Sequence, residues 1–263
     1  MDTCTFCGAY KTKRFRVKPI EEIFADIRQQ VRTPQDTRRV FLMDGDALVV
    51  NNAKLVPVLQ QLQASFPKLT RIASYANGPN LTNRDPAALE ELYRHKLRLI
   101  YMGLESGAQS VLDLCQKGSS VQQMVQAVRK AAEARIKSSV IVLLGLGGRE
   151  HFSEHVRGTI QALNAMQPRY LSFLSLMVIP GTPLAHDVAR GKRAELGPQE
   201  LLIELRQILE GLELTGTIFR SNHASNYLPL AGVLPKDKFA LLERIDKAVQ
   251  GRVPLTPEAW RGL

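Results

Sequence analysis

Long apolar runs are missing from this 263-residue chain. None approaches the roughly 20 residues that span a bilayer, and the N-terminus lacks the apolar core of a secretory signal. A soluble cytoplasmic protein without membrane contact is therefore expected. Cysteine is scarce: the three residues, an odd number, argue against a disulfide framework and for a reducing compartment. Other chemistries lack a required part. No glycine run ends in Gly-Lys-Ser/Thr, which excludes a Walker A phosphate loop. No second Cys or His pair stands at the spacing a four-ligand zinc knuckle needs. Neither a low-complexity segment nor a repeat beyond a strand–helix period is present.

What is abundant is positive charge, with 35 Lys and Arg against 25 Asp and Glu. Lys11, Lys13, Arg14, Arg16 and Lys18 concentrate part of the excess near the start. Two readings stand: a site for an anionic partner such as nucleic acid, or a solvated basic face. No nucleic-acid motif accompanies the charge.

Strand-like and helix-like segments alternate with a period of roughly 30 residues, the pattern of a parallel sheet covered by helices. Apolar, β-branched runs at 40–43, 71–75, 97–102, 139–144 and 170–176 each follow a helical segment, at 19–31, 53–66, 86–95, 121–134 and 151–166. Further helices are expected at 198–214 and 237–249, flanking a loop at 220–235. Polar residues and glycines gather after each strand's C-terminal end, where parallel α/β folds bind ligands.

The residues at those ends carry the chemistry. Cys4-Thr5-Phe6-Cys7 places two thiols at i and i+3 around an aromatic, suited to a soft metal centre or a redox pair. Asp44-Gly45-Asp46 follows the first strand and also satisfies the pattern of a tight acidic turn. Ser74 ends the second strand. Gly103-Leu104-Glu105-Ser106-Gly107 follows the third, and an acid between glycines at a sheet edge is hard to explain as packing. Gly145-Leu146-Gly147-Gly148-Arg149-Glu150 ends the fourth, its glycines permitting close backbone approach and unusual φ values. Met177 lies in the segment running to Pro180-Gly181-Thr182-Pro183. The donor-rich loop at 220–230 offers Asn222 and His223, either toward a ligand or to itself. Cys115 reads as a buried small hydrophobe or a third thiol. His151-Phe152-Ser153-Glu154-His155 fits an inverted zinc-peptidase pattern, but no third ligand can be identified.

In this order the motifs resemble the radical S-adenosylmethionine (SAM) superfamily, in particular coproporphyrinogen-oxidase-like and uncharacterised members. The resemblance runs from Cys4 to about Leu184. It implies a partial (β/α)6 TIM-like barrel over residues 1–184, followed by a mainly helical extension at 185–263 with a polar loop at 220–235. Cys4 and Cys7 match the second and third ligands of a [4Fe–4S] cluster. The first cluster cysteine and the first strand are then missing, through a start assigned too far downstream or a true truncation. By the same resemblance Phe6 borders the cluster, and Asp44, Gly45 and Asp46 meet the SAM ammonium. Ser74 lines the SAM pocket and Glu105 contacts its ribose or amino-acid part. Gly145, Leu146, Gly147 and Met177 frame adenine, while Asn222 and His223 face substrate or shield the cluster. The implied reaction is reductive cleavage of SAM to a 5′-deoxyadenosyl radical that abstracts hydrogen from an unknown substrate. The electron would come from a donor such as flavodoxin or ferredoxin. The alternative is a cluster-deficient, non-catalytic barrel that binds SAM or RNA.

Overall fold

A computed structural model describes residues 4–9, 15–31 and 36–262. Tyr10, Lys11, Lys13 and Arg14, part of the early basic run, lie outside the described residues. Seven strands form one open sheet in chain order: β1 (Arg39–Leu42), β2 (Arg71–Tyr75), β3 (Leu97–Glu105), β4 (Lys137–Leu144), β5 (Tyr170–Ser175), β6 (Thr217–Ser221) and β7 (Leu230–Leu234). The β1–β2, β2–β3 and β5–β6 pairs are parallel, and β6–β7 is antiparallel. Ten helices accompany them among the described residues: α1 (Ile20–Val31), α2 (Asn52–Ser65), α3 (Gly78–Thr82), α4 (Pro86–Arg94), α5 (Gln109–Leu114), α6 (Val121–Glu133), α7 (Phe152–Met166), α8 (Pro183–Ala189), α9 (Pro198–Gly211) and α10 (Lys238–Val249). This is the α/β architecture expected from the strand–helix period. No helix among the described residues is long and apolar enough to cross a membrane.

The chain divides into two compact units. One comprises residues 13–102 and 126–139; the other comprises 1–12, 103–125 and 140–263. In the first, α1 opens with Glu21 and Glu22 and closes with Arg28, charges that suit the helix dipole. The basic stretch before it is already engaged: Arg16 pairs with Glu22 at 3.2 Å, and Lys18 pairs with Asp26. Both pairs are exposed, which favours the solvated-face reading of these two residues. On β1–β3, Phe41, Tyr75 and Tyr101 cluster with ring centroids 4.9–6.3 Å apart, Tyr75 edge-on to the other two.

The second unit adds one feature to the expectation. Besides α8, α9 and α10, the segment after residue 184 carries β6 and β7, which pair antiparallel and extend the sheet beside β5. The polar loop shrinks to the residues between them. Phe219, Leu230 and Leu234, all buried, anchor these short strands through the sheet rather than through any helical stripe. Helix α8 is set by Thr182, whose hydroxyl accepts the Ala185 N–H at 3.2 Å, with Pro183 in the first turn. Helix α9 starts at Pro198, and the Glu200 carboxylate reaches back to the Gly197 N–H at 2.7 Å.

Candidate functional site

In the second unit the cysteine loop is built as a tight turn, in which the Cys7 N–H reaches the Cys4 carbonyl at 3.2 Å. Thr5 pins it at both sides: its N–H donates to the Cys115 carbonyl, and its carbonyl accepts from the Leu184 N–H, each at 3.0 Å. Phe6 packs on the buried cluster of Ala108, Val111, Cys115 and Leu146. Cys4 and Cys7 stay half-buried. Burial pushes the Cys4 thiol up; Lys117 opposes this, while Glu105, Cys7 and Cys115 reinforce it.

The strand exit after β3 is more constrained than its sequence reveals. Glu105 sits at φ 62°, a region non-glycine residues rarely adopt. Its carboxylate Oε1 accepts from Lys117 Nζ at 2.9 Å, and both side chains are largely buried, at 13% and 17% exposure. Gly103, two residues back on the same strand face, makes the room. Two residues further on, the backbone carbonyl of Gly158 would lie 2.2 Å from a Cβ at Gly107, and that of Gly107 2.5 Å from one at Gly158. Only glycine at both positions allows this approach of the loop to α7. The Gly107 N–H donates to Thr159 Oγ1 at 3.1 Å.

Beneath this loop lies a polar network that sequence reasoning missed. Ser106 Oγ accepts the Ala108 N–H at 3.0 Å and meets His155 Nδ1 at 2.8 Å. His155 Nε2 faces Glu204 Oε2 at 3.9 Å, and that oxygen accepts the Gly145 N–H at 2.6 Å. Both side chains are wholly buried, and His155 Nε2 and Glu204 Oε1 have no hydrogen-bond partner. An orphaned buried polar atom costs about 1–3 kcal/mol. Burial holds the His155 imidazole down at about 4, and it pushes the Glu204 carboxyl up to about 8 against the Gly145 hydrogen bond. The two are therefore neutral neighbours near pH 7, and the 3.9 Å approach is not an ion pair. The sequence did carry a signal for Glu204: it falls in phase with Leu201, Leu205 and Ile208 on the buried face of α9.

The zinc-peptidase pattern dissolves in this geometry. His155 turns inward to Ser106, whereas His151 is on the outside with Glu154, which also accepts from Ser110 at 2.5 Å. The glycines after β4 likewise serve packing. A Cβ on Gly145 (φ 82°) would meet Leu201 at 2.9 Å, and one on Gly147 would meet the His151 carbonyl at 3.0 Å. Leu146 is fully buried, and its carbonyl accepts from Arg193. Arg193 also approaches Cys115 Sγ at 3.8 Å. Met177 is half-buried just beyond β5. Asn222 and His223 are exposed, and His223 Nδ1 accepts the Ser225 N–H at 3.1 Å, so the loop bonds to itself. Asn226 anchors that loop, donating to the Phe173 carbonyl at 2.8 Å and accepting from Ser175 at 3.0 Å.

In the other unit the acidic turn after β1 splits its two carboxylates. Asp44 is exposed at φ 64°, followed by Gly45 at φ 86°. Asp46 is buried and accepts from the Leu48 N–H at 2.8 Å, the Asn77 N–H at 3.0 Å and Asn80 Nδ2 at 2.8 Å. Its oxygens are thus occupied by its own turn and the start of α3. Burial pushes its carboxyl up against these bonds and the nearby Arg84. Arg84 in turn donates to the Leu48 and Val50 carbonyls at 2.6 and 2.8 Å. Ser74 is buried, with its hydroxyl on the Tyr75 carbonyl at 2.8 Å. The less buried face of β2 at this end is that of Tyr75.

A [4Fe–4S] cluster with one open iron takes three thiolates. The described residues supply Cys4 and Cys7 in one turn, and no set of three Cys, His, Asp or Glu side chains among them comes together to hold a metal. By themselves they do not fit the complete cluster. Glu105, its carboxylate fixed by Lys117, belongs to the same unit as half-buried Phe6 and Met177.

Comparison with known proteins agrees with the architecture. Coproporphyrinogen III oxidase (HemN) from Escherichia coli is 15% identical, with a TM-score of 0.57 over 79% of this chain and 48% of that one. The archaeal Methanocaldococcus infernus Elp3 with an N-terminal deletion is 15% identical, with a TM-score of 0.54 over 89% of this chain and 59% of that one. Methylornithine synthase (PylB) is 18% identical, with a TM-score of 0.53 over 98% of this chain and 80% of that one. The chain thus spans about half the length of the first of these relatives, and at such identities the likeness concerns the fold. No curated protein sequence matches. The model of the Radical SAM superfamily matches residues 2–184, well over half of the chain, so the chain belongs to the radical SAM superfamily.

Proposed function

We propose that this chain is a SAM-binding enzyme of radical SAM chemistry, with Glu105 as the residue that orients SAM at the β3 exit. The observation that carries this reading is the Glu105 carboxylate itself. It is held in a strained backbone conformation, fixed by Lys117 at 2.9 Å, and given space by Gly103. Packing alone does not require an acid there. Cys4 and Cys7 are the thiols that would hold iron, and a cluster completed by a third ligand would supply the electron that reduces the SAM sulfonium. The protein's own part is to hold SAM, orient it and exclude water. The substrate is a molecule of unassigned class, and the electron donor is a small redox protein such as flavodoxin or ferredoxin.

The two-thiol set favours one second reading, a SAM-binding protein without a working cluster. Anaerobic iron–sulfide reconstitution with iron counting, and EPR of the reduced protein with and without SAM, separates the two. About four irons per chain and a signal shifted by SAM support the enzyme. Substoichiometric iron that ignores SAM, with SAM still bound, supports the second reading. Absence of SAM binding contradicts both.

A further inference from the structure

The buried His155–Glu204 pair has no role in the function just proposed, yet it joins the two loops nearest to it. Through Ser106, His155 holds the β3-exit loop that carries Glu105. Through the Gly145 N–H, Glu204 holds the turn after β4. Their facing atoms, Nε2 and Oε2, stand 3.9 Å apart, and Nε2 has no other partner. A small side-chain shift would bring the two atoms within hydrogen-bond distance.

We propose that His155 and Glu204 are positioning residues that share one proton, carried by the Glu204 carboxyl and offered to His155 Nε2, and so lock the β3-exit loop to the β4-exit turn in the conformation that binds SAM. The assignment to SAM rests on the function proposed above. In this assignment His155 takes the tautomer whose Nδ1–H donates to Ser106 Oγ, which leaves Nε2 as the acceptor. A carboxylic acid is then the right partner and a carboxylate the wrong one, because a carboxylate has no proton to give. Burial keeps both groups neutral, as the lock requires.

The surroundings leave the proton to this pair. From the β3 exit only Ser106 and from the β4 exit only the Gly145 N–H reach it. On α7, His151 and Glu154 face outward and bond to each other, and Thr159 is taken by Gly107. On α9, Glu200 is exposed and held by Arg149 at 2.7 Å, while Arg206 binds Asp246 of α10. Arg193 reaches the Leu146 carbonyl and Cys115 instead. Among the described residues no other charged side chain acts on either member: burial alone lowers His155, and burial raises Glu204 against the Gly145 bond.

The test compares wild type with Glu204→Gln, Glu204→Leu and His155→Phe by equilibrium dialysis of SAM between pH 6.5 and 9, with circular dichroism as the check on folding. The amide of Glu204→Gln still accepts from Gly145 and donates to His155, but it cannot ionise. Wild-type affinity is expected to fall about tenfold more than that of Glu204→Gln between pH 7 and 9, one logarithmic unit of linked proton uptake. The amino group of SAM titrates in the same range, so the difference between the two proteins is the readout. Folded Glu204→Leu and His155→Phe are expected to bind at least tenfold more weakly at every pH. Equal pH slopes in wild type and Glu204→Gln, or unchanged affinity in folded Glu204→Leu, overturn the proposal. Should wild type bind no SAM at any pH, the SAM reading fails, and the pair is judged by the imidazole 15N spectrum alone. A His155 signal that changes near pH 8 in wild type and not in Glu204→Gln upholds the shared proton; a signal indifferent to the substitution overturns it.

Discussion

The Glu105 carboxylate lies over the α-carbon of Gly103, so close that a Cβ there would stand 2.0 Å from Oε1. The two residues are one device: the glycine exists for the acid, which Lys117 then fixes. Gly103→Ala is therefore expected to displace the Glu105 side chain while changing stability by no more than about 1 kcal/mol, since a flexible carboxylate can swing away. SAM affinity should drop at least tenfold. Chemical denaturation and equilibrium dialysis on the same preparation check the two halves, and unchanged affinity would show that Glu105 is not held for SAM.

The Gly107–Gly158 contact behaves differently, because backbone meets backbone. Alanine at either position cannot be relieved by a side-chain rotation. Each substitution is expected to destabilise the fold by about 2–3 kcal/mol. Gly118→Ala, which meets nothing within 4 Å, is the control and should match wild type. Urea denaturation of the three variants decides the matter.

Glu204 imposes a pH dependence on stability itself. Its folded value, about 8, is above its unfolded one, so the folded state holds the proton across the window between them. Stability from this group is full below the unfolded value and is lost as pH rises toward 8, by about 1.4 kcal/mol per pH unit at most. His155 acts oppositely, because its folded value of about 4 is below its unfolded one; its effect is confined to lower pH. Between pH 6.5 and 8 wild type should lose stability relative to Glu204→Gln. Parallel denaturation curves for the two proteins across that range would contradict the neutral-acid assignment.

Asp46 and Asp44, two residues apart, should separate cleanly. Asp46→Ala leaves the Leu48 and Asn77 N–H groups and Asn80 without their acceptor. A loss of about 2–3 kcal/mol is expected for these charge-assisted bonds. Asp44→Ala, at an exposed position, is expected to cost under about 1 kcal/mol, the price of alanine at positive φ. Comparable losses in both would mean that Asp46 is not the anchor of its turn.

The strand–helix period was legible because β3, β4 and β5 are apolar runs bounded by glycines and polar turns, and each lies within a few residues of its expected place. β6 and β7 escaped notice because five-residue strands such as Thr217–Ser221 carry no long period and border a loop dense in polar residues. Helices α3 and α8 are too short for a helical stripe. At the site, the position of Glu105 between glycines was readable. The burial of Ser74 was not, since period-two alternation gives the faces of a strand without saying which one is covered. The inward turn of His155 was invisible for a related reason. Its partner Glu204 is 49 residues downstream, and only tertiary packing brings α7 and α9 together.

The most direct measurement is SAM binding by equilibrium dialysis to wild type and to Glu105→Gln, both shown folded by circular dichroism. Saturable binding by wild type, weakened at least tenfold in Glu105→Gln, is the predicted result. Wild type without affinity for SAM, or a Glu105→Gln variant that binds as tightly, would contradict the account.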